Sequence, residues 1–154
     1  MKNKSCCFTG HRDISPEKIP AVKKSLNDKI SELIERGFSE FYNGGAIGFD
    51  LLAAETVLEL KKHYPHICLH LIIPCANHYR SWNIKDIERF HTVKEAADEV
   101  KILSPFYFNG CMQIRNRYMV DASSVCIAFV ERKSGGSADT VKYAERQGAE
   151  VIII

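Results

Sequence analysis

The sequence predicts a doubly wound α/β domain, with a mostly parallel sheet of about six strands and helices on both faces. Short apolar segments alternate along the chain with segments whose apolar residues recur at helical spacing. The apolar segments are nearly continuous rather than alternating with polar residues, which is typical of parallel strands buried on both faces. Because 154 residues is the length of one ordinary domain, we expect a single domain over 1–154.

The first strand is expected in KSCCFT, at 4–9, a short apolar segment closed by Gly10. Ser15 followed by Pro16 predicts an N-cap and the first position of a helix. This helix is expected to end at Gly37, since glycine commonly follows the last helical turn. Its apolar residues at helical spacing are Ile19, Val22, Leu26, Ile30, Leu33 and Ile34.

The middle of the chain repeats this alternation. A second strand is expected in FSEFY at 38–42, and a second helix over 49–63. A third strand is expected in ICLHLII at 67–73, stopped by Pro74. A polar stretch follows before the next helix, whose apolar residues are Ile84, Ile87, Phe90 and Ala97.

The last third of the chain completes the pattern. A fourth strand is expected in EVKIL at 99–103, followed by a short helix at 111–121. SVCIAFV, at 124–130, is the fifth strand. A final helix is expected to run to Gln147 and to be closed by Gly148, and the terminal AEVIII is the sixth strand.

Composition disfavours several classes of protein. Hydrophobic residues make up 45% and charged residues 26%, close to the averages of soluble globular domains. The formal net charge of +2 offers no broad surface for a polyanion, so nucleic acid is an unexpected partner. No apolar run approaches the ~20 residues of a membrane span, and MKNKSCCFTGHR has no signal-peptide core. We therefore expect a cytoplasmic protein with no membrane partner.

The cysteines and histidines do not form a recognised metal-binding pattern. The six cysteines are scattered without a C-x-x-C pair, and we expect them to be reduced. Cys75 and Cys111 fall in predicted loops and are the candidates for exposure. Because the histidines have no ligand spacing either, neither a metal site nor a cofactor is predicted.

Residues suited to ligand binding concentrate in four loops that follow predicted strands. The carboxyl ends of parallel strands meet at one edge of a sheet, so we expect these loops to form a single crevice. The loops are TGHR (9–12), NGGAIGFD (43–50), PFYFNGCMQIRNR (105–117) and SGGSADT (134–140).

Two of these loops are glycine turns that lead into helices. Glycine lets the backbone approach a ligand, and the N–H groups at a helix start favour an anion. The dinucleotide fingerprint G-x-G-x-x-G and the Walker loop are both missing from the sequence, so a phosphate would be held in another way. Tight turns also use glycine where nothing binds, and that alternative stays open. The predicted phosphate ligands are Gly44, Gly45, Gly48, Gly135, Gly136, Ser137 and Thr140.

Arginines in the loops are candidates to neutralise a bound phosphate, because a guanidinium grips it with two parallel hydrogen bonds. They are Arg12, which follows Thr9 and Gly10 in the first loop, and Arg115, which stands beside Asn116 on the fourth helix. A solvated surface arginine is the alternative for both.

Further candidates have two interpretations each. His11 could bind a phosphate or act as an acid, or it could cap its own turn. Asp50 could cap the second helix or bind a ribose hydroxyl. Tyr79 and Trp82 could form a base-stacking flap, with anchoring in the core as the alternative.

Taken together, four segments resemble the SLOG superfamily, named for the SMF/DprA DNA-processing proteins and the LOG nucleotide hydrolases. The TGHR start and the IIPCANHYRSW segment are most similar to the YpsA-like branch of bacterial proteins. The resemblance covers essentially the whole chain. It implies a Rossmann-like domain that binds a nucleotide or nucleotide-derived ligand, often as a homo-oligomer. Our leading interpretation is a ligand-binding domain that acts as a sensor. The four segments are CFTGHR, YNGGAIGFDLLAAE, IRNRYMVDASS and SGGSADTVKYAERQGAEVIII.

The resemblance leaves two alternatives and does not decide whether the chain is an enzyme. LOG proteins cleave the N-glycosidic bond of nucleoside monophosphates with a glutamate in P-G-G-x-G-T-x-x-E, but Lys142 and Tyr143 stand where that acid is expected. A hydrolase would need another carboxylate, and Asp139 is the candidate. DprA-like binding of single-stranded DNA is the other alternative, which requires a basic groove with stacking aromatics.

Overall fold

The computed structural model describes residues 2–154 and confirms the doubly wound, parallel α/β fold. Two short 3₁₀ turns, at Lys2–Lys4 and Pro16–Lys18, flank the first strand and its loop. The strands are β1 (Ser5–Gly10), β2 (Glu40–Asn43), β3 (Cys68–Ile73), β4 (Glu99–Ile102), β5 (Val125–Phe129) and β6 (Glu150–Ile153). The helices are α1 (Ile19–Glu35), α2 (Phe49–Lys61), α3 (Ile84–Ala96), α4 (Cys111–Asp121) and α5 (Gly136–Arg146).

The strand order places a crevice near the middle of the sheet. The strands lie in the order β4-β3-β2-β1-β5-β6, and each neighbouring pair is parallel. The chain therefore builds outward from β1 in one direction through β4, then returns to the other side of β1 with β5. The loops that leave β1 and β5 diverge at this reversal, which is where open α/β sheets bind ligands.

Helices cover both faces, because adjacent residues of the central strands point to opposite sides. Phe8 of β1 packs in a large core with α1, α2 and α3, together with Phe41 and Leu71. Cys7, which precedes Phe8, points to the opposite face. It packs in a smaller core with α4 and α5, together with Met119.

The expected apolar character of the strands holds for the centre of the sheet and fails toward one edge. Every residue of β5 is buried, whereas β4 has three exposed residues among its four. On the face where the smaller core lies, the ring nitrogens of His70 are 2.9 Å from Glu40 Oε1 and 2.8 Å from Glu99 Oε1. The ring of His70 also stacks on Tyr42, with centroids 4.6 Å apart. The helices on this face therefore cover only part of the sheet and leave the side of β4 without a helix.

Glycine ends two helices as predicted, but the first helix starts differently from the prediction. Gly37 has φ +96°, and the backbone N–H of the following Phe38 donates to Leu33 O at 3.0 Å, which closes α1. The Ser15 side chain makes no capping hydrogen bond. Its carbonyl instead accepts the N–H of Lys18 at 2.9 Å, because a 3₁₀ turn over Pro16–Lys18 precedes the α-helix.

The cysteines of the described chain are free thiols. Cys75, in the loop after β3, and Cys111, the first residue of α4, were the two candidates for exposure. Each is only 2% exposed, because the two thiols lie against each other. Within residues 2–154, no helix is long and apolar enough to cross a membrane.

Candidate functional site

A crevice of about 340 Å³ opens at the carboxyl ends of β1 and β5. The predicted residues that line it are Thr9, Gly10, His11, Arg12, Asp50, Arg115, Asn116, Gly135, Gly136 and Ser137. The sequence prediction missed Phe8, Asp13, Ala46, Met112, Arg132 and Ser134, which also line it. All four candidate segments therefore contribute to the crevice, and the segment 105–117 does so through residues of α4.

The amino terminus of α5 is open to the crevice. Gly135, with φ +105°, precedes the helix, and no side chain caps it. A Cβ at Gly135 or Gly136 would meet no atom from elsewhere in residues 2–154 within 4 Å. The first bond of the helix joins Asp139 N to Gly135 O at 2.9 Å, so the backbone N–H groups of 136–138 are unpaired within the described chain. These N–H groups and the helix dipole favour an anion.

The amino terminus of α2 is closed, in contrast to the prediction. Gly48 has φ +79°, and a Cβ there would stand 2.3 Å from the carbonyl oxygen of Arg12. The N–H of Phe49 donates to His11 O at 3.1 Å. Glycine is thus required at 48 because the loop after β1 lies directly against this turn, and the turn has no room for a phosphate.

Gly44 and Gly45 are also packed against protein atoms rather than facing open space. A Cβ at Gly44 would stand 2.6 Å from Arg115 Nη1, and one at Gly45 would stand 2.7 Å from Ile73 Cδ1. The buried Asn43, which the sequence prediction did not identify, holds the turn: its Oδ1 accepts Gly45 N–H at 2.8 Å and its Nδ2 donates to Asp50 O at 2.8 Å. These two predicted phosphate ligands therefore lie beneath the crevice.

Asp50 and Arg115 form the charged floor of the crevice. Arg115 is 5% exposed, and it donates through Nη1 to Gly44 O at 2.5 Å and through Nε to Asn116 Oδ1 at 2.8 Å. Asp50 accepts the N–H of Ala46 at 3.3 Å, so it stabilises the turn. Burial raises the pKa of Asp50 to about 6, although the nearby Arg115 opposes this shift. Burial likewise lowers the pKa of Arg115.

Arg12 is the most available cation at the crevice. Its side chain is exposed, and within residues 2–154 its guanidinium donates one weak hydrogen bond, from Nη2 to Met112 Sδ at 3.6 Å. Arg132 also lines the crevice but pairs with Asp13 at 2.9 Å on the surface. The guanidinium of Arg12 can therefore turn toward an incoming anion with little loss of protein contacts.

His11 joins two loops of the site. Its Nε2 accepts the backbone N–H of Glu131 at 2.7 Å, which places the proton of the neutral ring on Nδ1. Burial lowers the pKa of His11, and the nearby Arg132 lowers it further. The geometry supports a neutral residue that positions the loops after β1 and β5 rather than an acid.

Two predicted residues of α5 lie outside the crevice, because successive helical residues are rotated by about 100° around the helix axis. Thr140 is 5% exposed, and its hydroxyl donates to Gly136 O at 2.8 Å. Asp139 is exposed and lines a separate hollow of about 190 Å³ between α4 and α5. The carboxylates that line the crevice are instead Asp13 and Asp50.

Tyr79 and Trp82 anchor the loop after β3 rather than forming a flap. The ring of Trp82 lies 5.1 Å from that of His78 and 5.9 Å from that of Phe90, and Tyr79 lies 5.4 Å from Phe90. His78 donates through Nε2 to Gly45 O at 2.9 Å, and burial lowers its pKa to about 4. Within residues 2–154, no group of three or more His, Cys, Asp or Glu side chains could hold a metal ion.

Comparison with known proteins yields a family and a set of relatives. A family model named YpsA, described as the YspA SLOG family, matches residues 6–151. A UPF0398 protein of Halalkalibacterium halodurans is 31% identical over 132 residues, which span 84% of this chain and 70% of that protein. A UPF0398 protein of Brevibacillus brevis is 26% identical over 118 residues, which span 75% of this chain and 63% of that protein.

Two solved structures share the fold. One is DNA processing protein A from Helicobacter pylori, described for its single-stranded DNA binding mode, with a TM-score of 0.69 and 17% identity. The other is DNA processing protein A from Streptococcus pneumoniae, with a TM-score of 0.70 and 17% identity. They match 99% and 98% of this chain, which spans 65% and 50% of their lengths. At this identity the likeness shows the fold alone.

Gly48→Ala is expected to destabilise the protein much more than Gly37→Ala. Both glycines have positive φ, but a Cβ at 48 meets backbone atoms at 2.3 Å, whereas one at 37 meets none of residues 2–154 within 4 Å. We expect a loss of about 3 kcal/mol for Gly48→Ala and about 1 kcal/mol for Gly37→Ala, measured by urea unfolding. Equal losses would contradict the close approach at the start of α2.

Asp50→Asn is expected to change the pH dependence of stability. The folded-state pKa of Asp50 is raised from 3.8 to about 6, so its contribution is fully present below 3.8 and is lost as the pH rises through 6. Asn cannot ionise, so the unfolding free energy of the variant relative to the native protein should rise by about 2 kcal/mol between pH 4 and 7. His78 titrates in both proteins and cancels in this difference. A difference independent of pH would show that the Asp50 carboxylate is not desolvated.

Proposed function

The chain belongs to the YpsA family of SLOG proteins, and from that membership and the geometry of its crevice we propose that it binds a nucleotide or a nucleotide-derived phosphorylated ligand. One observation carries the proposal. The uncapped amino terminus of α5, where a Cβ at Gly135 or Gly136 would meet no other part of the described chain within 4 Å, opens into the crevice that Arg12 also lines.

The phosphate would lie against the start of α5. The unpaired N–H groups of 136–138 supply donors and the positive end of the helix dipole. The hydroxyls of Ser134 and Ser137 add donors at the same rim, and Arg12 adds a charge-assisted pair. Together these groups offer more hydrogen-bond donors than a carboxylate can accept. A phosphate, which has more oxygen acceptors, fits them better.

The remainder of the crevice suits a nucleoside. The whole crevice has a volume of about 340 Å³, which lies within the range of small-molecule sites and exceeds what a single phosphate fills. Asp50 can accept a hydrogen bond from a ribose hydroxyl, and Asn116, whose Oδ1 is taken by Arg115, keeps its amide donors. Binding without turnover, as in a sensor, is the function that these contacts support best.

The hydrolase alternative is weaker, because Asp139 lies in the separate hollow. A phosphoribohydrolase would have to use Asp50 or Asp13 to stabilise an oxocarbenium-like transition state. The expected cytoplasmic location, the single-domain organisation over 1–154 and the homo-oligomeric state remain predictions.

Binding of single-stranded nucleic acid is a second candidate, favoured by one specific observation. Asn116 and Gly136 line both the crevice and the hollow between α4 and α5, so the two cavities adjoin, and we call them together the track. The near-neutral net charge disfavours nucleic acid as a partner, but the cations are concentrated along the track. The fold neighbour from Helicobacter pylori is described as binding single-stranded DNA. The cations that line the track are Arg12, Arg115, Arg117, Arg132, Lys142 and Arg146.

Arg12→Ala is expected to weaken the binding of adenosine 5′-monophosphate by about 10- to 100-fold, the loss typical of a charge-assisted hydrogen bond. The unfolding midpoint should stay unchanged, because Arg12 is exposed. Arg146→Ala, an exposed arginine of the neighbouring hollow, is the matched control and should keep full affinity. Calorimetry measures binding, and chromatography of the same mixtures for free adenine tests turnover. Full affinity in the Arg12 variant would contradict the proposal, and released adenine would favour the hydrolase.

The nucleic-acid candidate has its own measurement, the dependence of oligothymidylate affinity on salt. Arg117 and Arg146 both lie over the ring of Tyr143, at 5.0 and 5.9 Å, along the track. Replacing both with Ala should make the slope of log K against log salt shallower by about 1.4 if each contacts a phosphate of a single strand. An unchanged slope would rule out this path for the strand.

A further inference from the structure

A second hollow adjoins the crevice on the side away from α5. Its volume is about 430 Å³, and it lies between the loop after β3, including Arg80, and the loop after β4, including Phe106 and Tyr107. Met112 lines both this hollow and the crevice. The two cavities therefore adjoin at the flexible thioether side chain of Met112, so one ligand could extend from one to the other.

Two aromatic rings at this hollow are exposed although their turn is fixed. Phe106 is 67% exposed and Tyr107 is 64% exposed, and neither ring contacts another aromatic ring of residues 2–154. The buried Ser104 holds the turn: its hydroxyl donates to Phe106 O at 2.6 Å and accepts Phe106 N–H at 3.3 Å. Ser104 O also accepts the N–H of Ala76 at 3.0 Å, which ties the turn to the opposite wall. The rings are therefore presented to solvent by a braced backbone.

The chemistry of the hollow suits a planar, electron-rich ring. Aromatic side chains stack on nucleobases, and the planar guanidinium of an arginine does the same. Arg80 is exposed and makes no ion pair within the described chain. Asn77 and Ser81 add polar groups that can contact the edge of such a ring.

We propose that this second hollow binds the second base of a ligand in which two nucleosides are joined through a phosphate bridge, with the bridge in the crevice. The inference rests on the proposed function and names its ligand class, a free dinucleotide. One nucleoside lies against Asp50 and Asn116, the phosphates lie at α5 and Arg12, and the other base passes Met112 to stack on Phe106 and Tyr107. A short single strand has the same chemistry, and the experiment separates the two.

The test compares two probes by calorimetry: adenosine 5′-monophosphate and diadenosine pyrophosphate. We expect the pyrophosphate to bind at least about 10-fold more tightly, since stacking of one base contributes about that much. The double variant Phe106→Ser, Tyr107→Ser should lose this gain and keep the affinity for the monophosphate. Because both side chains are exposed, the variant should fold normally. Phe108→Ser, in the same loop but outside the hollow, is the matched control and should keep the gain.

Each other outcome overturns the inference. Equal affinity of the two probes, or a gain that survives in the double variant, overturns it while the proposed function stands. A gain seen with a short oligodeoxyadenylate but not with diadenosine pyrophosphate assigns the hollow to a strand instead. Failure of both adenosine probes to bind overturns the inference together with the proposed function.

Discussion

The structure of the site depends on one close contact, in which the turn after β2 lies between the guanidinium of Arg115 and the backbone of the loop after β1. Arg115 is buried and donates to Gly44 O and, at 3.5 Å, to Ile72 O. A buried cation is tolerated only when it is paired and hydrogen-bonded, and Asp50 supplies the opposite charge. This arrangement fixes β2, β3, α2 and α4 relative to one another, so the floor of the crevice is formed before any ligand enters.

The two glycine turns have similar sequences and different roles. Gly44, Gly45 and Gly48 lack side chains because protein atoms occupy the space where a Cβ would stand. At Gly135 and Gly136, in contrast, a Cβ would meet no atom from elsewhere in the described chain within 4 Å. The first turn therefore serves packing and the second leaves backbone donors accessible. The groups that favour an anion therefore lie at the start of α5, whereas α2 contributes Asp50 to the lining of the crevice.

Local patterns predicted most of the fold, because each element carries its own periodicity and end signals. Gly37 and Gly148, for example, end helices from sequence-local geometry. Contacts between distant segments decided the rest. The clash that excludes a side chain at 48 comes from Arg12, and the direction of Asp139 follows from where α5 packs. The ring of Trp82 packs against His78 and Phe90, and no local sequence pattern predicts these contacts. The loops of the site were predictable, whereas the roles of individual residues within them were not.

The reversal of strand order beside β1 has a consequence for how the protein is made. β1 pairs with β5 in the register Cys7↔Cys126, a contact between segments near the two ends of the chain, and the crevice is formed from the loops that follow these two strands. Contacts of such long sequence separation close late in folding, since the intervening loop entropy must be overcome first. During synthesis β1 is made well before β5, so the crevice cannot form until the last third of the chain has been made. A ligand can therefore bind only to chains in which β5 and α5 have packed beside β1. Such a ligand stabilises the fully folded protein and not partly folded forms.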